Sequence, residues 1–465
     1  MDYEKLNKRL NHMMTYESDD FFVNIDIKKY ISDKLYDFQV FHIFNLITAM
    51  RSQNVVLDGS DVGTGKTYTS IAICKQLNLK PFIICPKTVM NNWKIVCDIF
   101  GVKPLAIVNY ESIKNGKFYD INGDIVNCNF INITENGITW QLPFSTIVIF
   151  DEVHRCKNPK TLNGKLLLST KNLRKVLMLS ATLTEKLESF AIFGFMLGAY
   201  KNIKQANGWI KGMLLEDKTC LNSAELSSIN KSIFPNKGSR MRIKELGDKF
   251  PSNQVSADTY LISNINKEIV NKAFKDIHKG DMMLKSSLEN NNNAQILGEL
   301  IKARQLLELA KVQIIVDLAN DYIENGYSIA IFVSFNKTIN QLMKLMNTDC
   351  VINGEQSINK RIDNVKKFQS NESHIIICNI AVSEGISLHD ELGRPRISFI
   401  SPPFSSVQLV QSLGRIARVG AKTPALQRII YCAGTCEEII CNRLKNKLEF
   451  LSKLNDNDLI NIDLD

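Results

Sequence analysis

The segment SDVGTGKT, residues 60–67, has the composition of a phosphate-binding loop. It follows the apolar run Val55–Leu57 and precedes a stretch that is compatible with a helix. Gly63 and Gly65 would let backbone N–H groups close around phosphate oxygens, and the start of the helix would add a partial positive charge. Lys66 would reach the β- and γ-phosphates. The predicted ATP-binding residues in this loop are Ser60, Asp61, Val62, Gly63, Thr64, Gly65, Lys66 and Thr67, and Thr67 is also a predicted ligand of Mg²⁺.

The loop departs from the usual phosphate-binding pattern at its first position, where Ser60 takes the place of a glycine. A glycine-rich turn with a stray lysine is therefore the alternative interpretation. The strand-like run before the loop and the helix-like run after it favour phosphate binding.

Two adjacent carboxylates, Asp151 and Glu152, follow the apolar run Ile147–Phe150. Parallel sheets present ligands at the carboxyl ends of their strands, so this pair should emerge beside the phosphates. Asp151 would ligate Mg²⁺, and Glu152 would polarise the water that attacks the γ-phosphate. A surface acidic pair is the alternative, which a preceding buried strand disfavours. His154 could be a core histidine, but its place beside Glu152 predicts that it links the nucleotide to the rest of the protein.

Arg415 and Arg418 are suited to stabilising a transferred phosphoryl group. Negative charge builds on its equatorial oxygens, and guanidinium groups from a second domain would neutralise that charge only when the cleft closes. A spacing of three places both arginines on one side of a helix, which also fits a basic surface helix. The preceding Gln411 and Gly414 favour the first interpretation. The predicted catalytic residues are Lys66, Asp151, Glu152, Arg415 and Arg418.

Short apolar runs alternate with helix-compatible stretches in two series, which is typical of parallel sheets buried on both faces. The runs are Val55–Leu57, Phe82–Cys85, Ala106–Val108, Ile147–Phe150 and Val176–Leu179 in the first series, and Ile329–Val333, Ile375–Cys378, Ile397–Ile400 and Ile429–Tyr431 in the second. We predict an α/β fold of two parallel-sheet domains in tandem. The predicted segments are an N-terminal extension (1–24), a first domain (25–200), a mainly helical linker and protrusion (201–309), a second domain (310–445) and a tail (446–465). Asn122-Gly123 and Asn136-Gly137 predict two tight hairpins within the first domain.

The length of 465 residues and the hydrophobic content of 45% suit two globular domains and argue against a disordered or fibrous chain. No apolar stretch reaches the roughly 18 residues of a membrane span, and the N-terminus is polar, so we expect a soluble, intracellular protein without membrane contact. The net charge of +9 suits a polyanionic partner.

Three segments resemble motifs of superfamily 2 helicases and occur in the same order. They are DEVH at 151–154 (motif II), SAT at 180–182 (motif III) and the Q-x-x-G-R-x-x-R segment at 411–418 (motif VI). LYDFQ ending at Gln39, CPKTVMNNW at 85–93 and NYESI at 109–113 resemble the Swi/Snf-type branch. IFVSFNKT at 331–338, NGEQSINKR at 353–361 and SEGISL at 383–388 continue the pattern into the second domain.

This resemblance implies two RecA-like domains that hydrolyse ATP with Mg²⁺ while holding nucleic acid. It implies that Gln39 contacts adenine and that Pro86, Lys87 and Thr88 lie on the nucleic-acid backbone. The residues that it implies to couple the two sites are His154, Ser180, Thr182, Gly385 and Gln411. SAT at motif III, and Gly414 with Ala417 in motif VI, depart from the Swi/Snf pattern and put chromatin remodelling in doubt. The lean organisation is similar to helicases of large DNA viruses, including the transcript-release helicase of poxviruses, which would place the protein in a host cytoplasm or a virion.

We expect an ATP-dependent translocase or helicase, with duplex DNA favoured as the track because the surroundings of CPKTVMNNW (motif Ia) and of motif II resemble Swi/Snf motors. An RNA helicase remains an alternative. A P-loop ATPase that remodels protein without a nucleic-acid track is another, and so is a non-catalytic clamp. The motif Ia segment and the intact catalytic set argue against these last two. The sequence gives no indication of protein partners.

Overall fold

The computed structural model describes residues 26–119, 124–135, 137–183, 187–215, 224–246, 250–262, 268, 293–383, 385–403 and 405–435, with 437, 438, 441, 442, 444 and 445. The strands are β1 (Val55–Asp58), β2 (Lys80–Cys85), β3 (Ala106–Asn109), β4 (Lys117–Tyr119), β5 (Ile125–Asn127), β6 (Ile131–Thr134), β7 (Gly137–Trp140), β8 (Thr146–Asp151), β9 (Val176–Leu179), β10 (Gly238–Ser239), β11 (Asn253–Tyr260), β12 (Ser328–Val333), β13 (Val351–Ile352), β14 (Ile375–Asn379), β15 (Arg396–Ile400) and β16 (Ala425–Cys432). The α-helices are α1 (Lys29–Ser32), α2 (Asp37–Ser52), α3 (Lys66–Gln76), α4 (Met90–Phe100), α5 (Tyr110–Ile113), α6 (Leu162–Ser169), α7 (Ala191–Met196), α8 (Ala206–Leu215), α9 (Ala224–Ile233), α10 (Asn293–Ala310), α11 (Val312–Glu324), α12 (Asn336–Leu345), α13 (Ile358–Gln369) and α14 (Ser406–Leu413). Short 3₁₀ turns include Lys87–Val89, Val153–Cys156, Ile243–Glu245 and Ile380–Val382.

The first domain is built on a six-stranded parallel sheet in the order β10-β1-β9-β8-β2-β3. Successive side chains of a strand point to opposite faces. In β1, Val55 and Leu57 accordingly pack into one apolar cluster and Val56 into another. Because helices or loops cover both faces, the strands are apolar throughout instead of alternating.

A second six-stranded parallel sheet, in the order β11-β16-β15-β12-β14-β13, forms the other domain. Ala330 and Phe332 of β12 face one apolar cluster, and Ile329 and Ile331 face the other. The predicted α/β fold of two parallel-sheet domains in tandem is therefore confirmed.

The two predicted hairpins are present as antiparallel pairs, β4 with β5 and β6 with β7. Their turns, at 120–123 and at 136, lie outside the described residues. Phe130, directly before β6, and Trp140 of β7 pack edge-on against Phe82 of β2, with ring centroids 6.1 and 5.5 Å away. The β6–β7 hairpin is thereby anchored to the core of the first domain.

Within residues 201–309, α8, α9 and α10 agree with the expected helices, but two strands occur that the sequence did not predict. β10 extends the edge of the first sheet beside β1, and β11 extends the edge of the second sheet beside β16. Neither strand contains an apolar run from which it could be predicted, since β10 is two residues long and β11 is a half-exposed polar edge strand. The domain limits themselves remain a prediction, and residues 1–24 and 446–465 lie outside the described residues.

Candidate ATP site and nucleic-acid groove

The phosphate-binding loop joins β1 to α3, and its two glycines adopt left-handed conformations. Gly63 has a φ of 82° and Gly65 a φ of 91°. A Cβ atom added to Gly65 would lie 2.3 Å from Nε2 of Gln39, so a larger residue would collide there. Gln39 is buried in α2 and its Nε2 donates to the carbonyl oxygen of Thr64, 2.9 Å away. The structure thus places Gln39 directly against the loop.

Lys66 begins α3, and its side chain folds back along the loop. Its Nζ donates to the carbonyl oxygens of Ser60 and Asp61, at 2.8 and 3.1 Å. Thr67 follows as the second residue of the helix and is half-buried. Val62 lies at the tip of the loop, where a Cβ added to Gly414 would lie 2.2 Å from its Cγ1. The loop and the start of α3 therefore lie beside Gly414 of the second domain.

Ser60 has a structural purpose that explains why a glycine is replaced. Its hydroxyl accepts a hydrogen bond from the backbone N–H of Met241 at 2.9 Å, and its own N–H donates to Asp58 at 3.0 Å. His42 lies beneath, with Nε2 3.1 Å from the Asp58 carboxylate and Nδ1 2.9 Å from the Ser239 hydroxyl. Burial alone would raise the pKa of Asp58, but the charge and hydrogen bond of His42 outweigh burial and lower it. The loop rests on a buried polar network.

Asp61 fixes the other side of the loop to the segment that follows β10. One carboxylate oxygen accepts from Nη2 of Arg240 at 2.7 Å, and the other accepts from the N–H of Ile243 at 2.9 Å. The backbone N–H of Asp61 donates to the carbonyl oxygen of Met241. Because this segment leads from the first sheet to the second, the loop is tied to the connection between the domains.

Asp151 ends β8, and two aromatic side chains hold it in place. The indole N–H of Trp93 donates to its carboxylate at 2.8 Å, and the Tyr110 hydroxyl donates to its carbonyl oxygen at 2.7 Å. Burial and the neighbouring charge of Glu152 raise the pKa of Asp151, while Trp93 and Lys66 oppose this rise. A desolvated carboxylate with a raised pKa is a group that a cation would stabilise.

Glu152 has a φ of 53°, an unusual conformation for a residue with a side chain, and it turns the chain sharply after the strand. Its carboxylate lies 3.3 Å from Nδ1 of His154, and the same nitrogen lies 3.2 Å from the Ser180 hydroxyl. Ser180 in turn donates to the carbonyl oxygen of Thr182 at 2.8 Å. Burial would raise the pKa of Glu152, but His154 and the charges of Lys66 and Arg415 outweigh burial and lower it. The four residues form one chain of contacts.

Arg415 and Arg418 follow α14 and come from the second domain. Arg415 is buried, and Arg418 donates from Nε to the carbonyl oxygen of Gly414 and from Nη2 to that of Ile386. A Cβ added to Gly63 would lie 3.0 Å from Cγ of Arg418, so the arginine segment abuts the phosphate-binding loop. Burial and the charge of Arg415 lower the pKa of Arg418 to about 9. A buried and a partly buried cation side by side are suited to a polyanion.

The remaining predicted coupling residues lie where the domains meet or close to it. Gln411 is buried in α14, one turn before Arg415, and its Nε2 has no hydrogen-bond partner among the described residues. Gly385 has a φ of 77°, and a Cβ there would lie 1.7 Å from Cγ1 of Val89. Gly385 thus touches the turn that contains the predicted nucleic-acid residues of the other domain.

Pro86, Lys87 and Thr88 line a groove that both domains share. The residues that line it are Pro86, Lys87, Thr88, Asn109, Glu111, Ser112, Tyr119, Arg155, Ala381 and Val382. Lys87 is exposed, and Arg155 adds a second cation 3.7 Å from the Glu111 carboxylate. This groove is separate in its lining residues from the phosphate-binding loop.

Several residues of the two sites were not predicted from the sequence. Trp93 and Tyr110 stand in segments that resemble a helicase branch, and a buried indole N–H or phenol needs a partner, which was a usable signal. Arg240 and Tyr119 gave no such signal, because each reaches its site through a fold contact between distant segments.

The residues present fit a nucleotide with a divalent cation. The glycine positions leave a cradle that a Cβ would fill, at Gly63 and Gly65. The desolvated Asp151 carboxylate and the Thr67 hydroxyl are oxygen donors of the kind that Mg²⁺ prefers. Among the helices of the described residues, none is long and apolar enough to cross a membrane.

Comparisons with known proteins show which family this chain resembles along its length. The family described as "Helicase conserved C-terminal domain" matches residues 310–420. A protein of Acanthamoeba polyphaga mimivirus with the provisional name ATP-dependent RNA helicase is 36% identical over 459 residues, which cover 92% of this chain and 85% of that protein. The Drosophila melanogaster SWI/SNF-related matrix-associated actin-dependent regulator of chromatin subfamily A-like protein 1 is 24% identical over 467 residues, covering 92% of this chain and 57% of that protein.

Two solved structures also match along most of the chain. S. cerevisiae Dbp5 bound to RNA and ADP BeF3 is 13% identical, with a TM-score of 0.49 and coverage of 94% of this chain and 93% of that one. The Sulfolobus solfataricus SWI2/SNF2 ATPase core in complex with dsDNA is 18% identical, with a TM-score of 0.34 and coverage of 94% and 98%. The identity to the mimivirus protein across nearly the whole chain decides the family: this chain belongs to the superfamily 2 helicases, ATP-hydrolysing enzymes with a nucleic-acid partner.

Proposed function

We propose that this helicase couples ATP hydrolysis in the cleft between its domains to movement along a nucleic-acid backbone, with duplex DNA as the track. The proposal rests chiefly on one observation. The carboxylate pair at the end of β8 and the arginine pair after α14 come from different domains, yet the arginine segment abuts the phosphate-binding loop, since a Cβ added to Gly63 would lie 3.0 Å from Cγ of Arg418. The charge of Arg415 accordingly lowers the pKa of Glu152, and the charge of Glu152 acts on Arg418. An ATP molecule in this cleft would join the two walls.

In this proposal each wall of the cleft has its own task. Lys66 leaves the loop carbonyls and binds the β- and γ-phosphates, while Glu152 orients the attacking water. His154 holds the Glu152 carboxylate in its ionised form, so that the carboxylate can accept a hydrogen bond from that water and orient it. Arg415 and Arg418 neutralise charge on the transferred phosphoryl group. Mg²⁺, held by Asp151 and Thr67, would supply charge neutralisation between the phosphates.

The base of the nucleotide would lie next to Gln39. Tyr36 and Phe38 precede it, with stacked rings whose centroids are 5.5 Å apart. A Cβ at Gly420 would lie 3.3 Å from the Tyr36 hydroxyl, so this aromatic pair touches both domains. Recognition of the base would thereby also depend on closure of the cleft.

Nucleic acid would lie in the groove of Lys87 and Arg155, with contacts to phosphates and little dependence on base sequence. Duplex DNA is favoured by the resemblance of the Cys85–Trp93 segment to Swi/Snf motors. The Drosophila relative is also named as a SWI/SNF-related protein. RNA is the second candidate, because the mimivirus relative carries the name of an RNA helicase.

The experiment that tests the track is a titration of ATPase rate with four ligands of one sequence: duplex DNA, single-stranded DNA, duplex RNA and single-stranded RNA. We expect duplex DNA to stimulate turnover at the lowest concentration, and stimulation to weaken steeply with added salt. Stimulation by RNA alone would replace the DNA track with an RNA track. If none of the four ligands raises the rate, an ATPase that acts on protein becomes the better account.

A further inference from the structure

The β4–β5 hairpin reaches the nucleic-acid groove through Tyr119. The Tyr119 hydroxyl accepts a hydrogen bond from Nζ of Lys87 at 2.9 Å, and the same nitrogen lies 4.8 Å from the centre of the Tyr119 ring. Both side chains line the groove, with Pro86 and Thr88 on the same domain and Ala381 on the other. Tyr119 therefore lies at the position where Lys87 is expected to meet the track.

The hairpin can hold this tyrosine in a fixed place. Phe118, the preceding residue of β4, packs against the core of the first domain, and alternation along a strand turns Tyr119 the other way. The neighbouring β6–β7 pair is fixed by aromatic contacts to Phe82 and by a hydrogen bond from the Trp140 indole to the Ser169 hydroxyl at 2.8 Å. A preorganised donor loses little freedom when a ligand binds.

The chemistry of the pair suits a phosphate. A phenol is both donor and acceptor, so Tyr119 can accept from Lys87 and still donate its own proton. The ammonium of Lys87 has three N–H bonds and uses one for Tyr119. A backbone phosphate offers only acceptors. The remaining donors of both groups therefore match one phosphate group.

We propose that Tyr119 is a nucleic-acid-binding residue, whose hydroxyl joins the Lys87 ammonium in binding a single backbone phosphate. This inference rests on the proposed nucleic-acid track and adds the β4–β5 hairpin to it. Because every nucleotide carries the same backbone phosphate, the contact is independent of base sequence. DNA and RNA both offer this phosphate, and binding assays with each polymer distinguish the source.

The test measures the Kd of a labelled duplex DNA and a labelled RNA by fluorescence anisotropy at several salt concentrations. Tyr119→Phe keeps the ring and removes the hydroxyl, and we expect about tenfold weaker binding. The slope of log Kd against log salt should stay unchanged, because no charge is lost. Lys87→Ala should reduce that slope by about one.

Tyr30→Phe is the matched control. Tyr30 is half-exposed on α1 with Nζ of Lys75 6.0 Å from its ring, so it also pairs with a lysine, but it is not among the residues of the groove. Removing the Tyr30 hydroxyl should leave the Kd for DNA and for RNA unchanged.

The double variant separates direct contact from mere support of Lys87. In the Lys87→Ala background, Tyr119→Phe should still weaken binding several-fold, since the hydroxyl itself touches the phosphate. No effect in that background, or wild-type affinity of Tyr119→Phe alone, overturns the inference while the track stands. A wild-type protein that binds neither polymer overturns the track and this inference together.

Discussion

Lys66 and Glu152 occupy positions from which each would act on a different part of the ATP reaction. Lys66→Ala removes the only charge at the start of α3, and Glu152→Gln removes the group that orients water while keeping its shape. We expect each to lower the ATPase kcat by at least about a hundredfold. Glu152→Gln should still bind ATP, whereas Lys66→Ala should lose affinity.

Phosphate release at saturating nucleic acid measures the loss, and circular dichroism checks that both variants are folded. Substantial ATPase activity in either purified variant would refute the assignment of the site. The assignment would be supported if both variants are folded and inactive, and if Glu152→Gln binds ATP while Lys66→Ala binds it more weakly.

The acid side of the pH–rate profile should report on Asp151. Its carboxylate form would bind Mg²⁺, and burial beside Glu152 raises its pKa, so activity should fall at a higher pH than for an ordinary aspartate. The Trp93 indole N–H opposes that rise in pKa. Trp93→Phe should therefore shift the acid limb to still higher pH at subsaturating Mg²⁺, and added Mg²⁺ should shift it back.

Trp140→Phe is the control for this profile, because its indole also makes a 2.8 Å hydrogen bond, but to Ser169. Trp140→Phe should leave the acid limb where it is in the wild-type protein. Superimposable profiles of Trp93→Phe and wild-type protein would show that the indole does not tune the carboxylate.

The strands and loops that could be predicted from the sequence are those marked by a pattern of neighbouring residues. The phosphate-binding loop and the Asp151–Glu152 pair each follow an apolar run. The run predicts a strand, and the polar residues directly after it predict a site at the end of that strand. β10 had no such signal, because Gly238 is selected by the approach of the Leu57 carbonyl oxygen, 2.2 Å from a Cβ built there. β11 alternates weakly as an edge strand, and only its pairing with β16 defines it.

The segment after β10 should stabilise the phosphate-binding loop through Arg240. Its guanidinium and the Asp61 carboxylate are both largely buried, so Arg240→Met would leave a buried carboxylate without this partner. We expect a loss of about 3 kcal/mol in the free energy of unfolding and a higher KM for ATP. Urea denaturation and ATPase titration measure these effects.

Arg242→Met is the matched control for that loss. Arg242 belongs to the same segment, but its ion pair with Glu245 spans 3.7 Å and is partly exposed, so it should contribute little. Equal losses in the free energy of unfolding of the two variants would mean that the contact between Arg240 and Asp61 does not contribute specifically to stability.

At the scale of the molecule, the pairing of distant residues across the cleft is what sequence patterns leave open. The motifs predict the arginines and the carboxylates separately, and their meeting depends on how the two sheets are oriented relative to each other. Gly63 with Arg418, Val62 with Gly414 and Val89 with Gly385 are among the contacts that bring the two walls together. Mutations at these contacts should therefore affect coupling more than folding.

Gly385 offers a direct test of that expectation. Gly385→Ala would place a Cβ 1.7 Å from the stiff Val89 side chain, and it would also strain a left-handed residue with a φ of 77°. Gly393→Ala isolates the strain, because Gly393 has a φ of 93° and nothing within 4 Å of its added Cβ. Gly393→Ala should lose about 1 kcal/mol of stability through strain alone and keep its stimulation by nucleic acid. Gly385→Ala should lose at least as much stability, and also most of the nucleic-acid-stimulated ATPase activity. Equal stimulation in the two variants would mean that hydrolysis does not require the close approach of Gly385 to Val89.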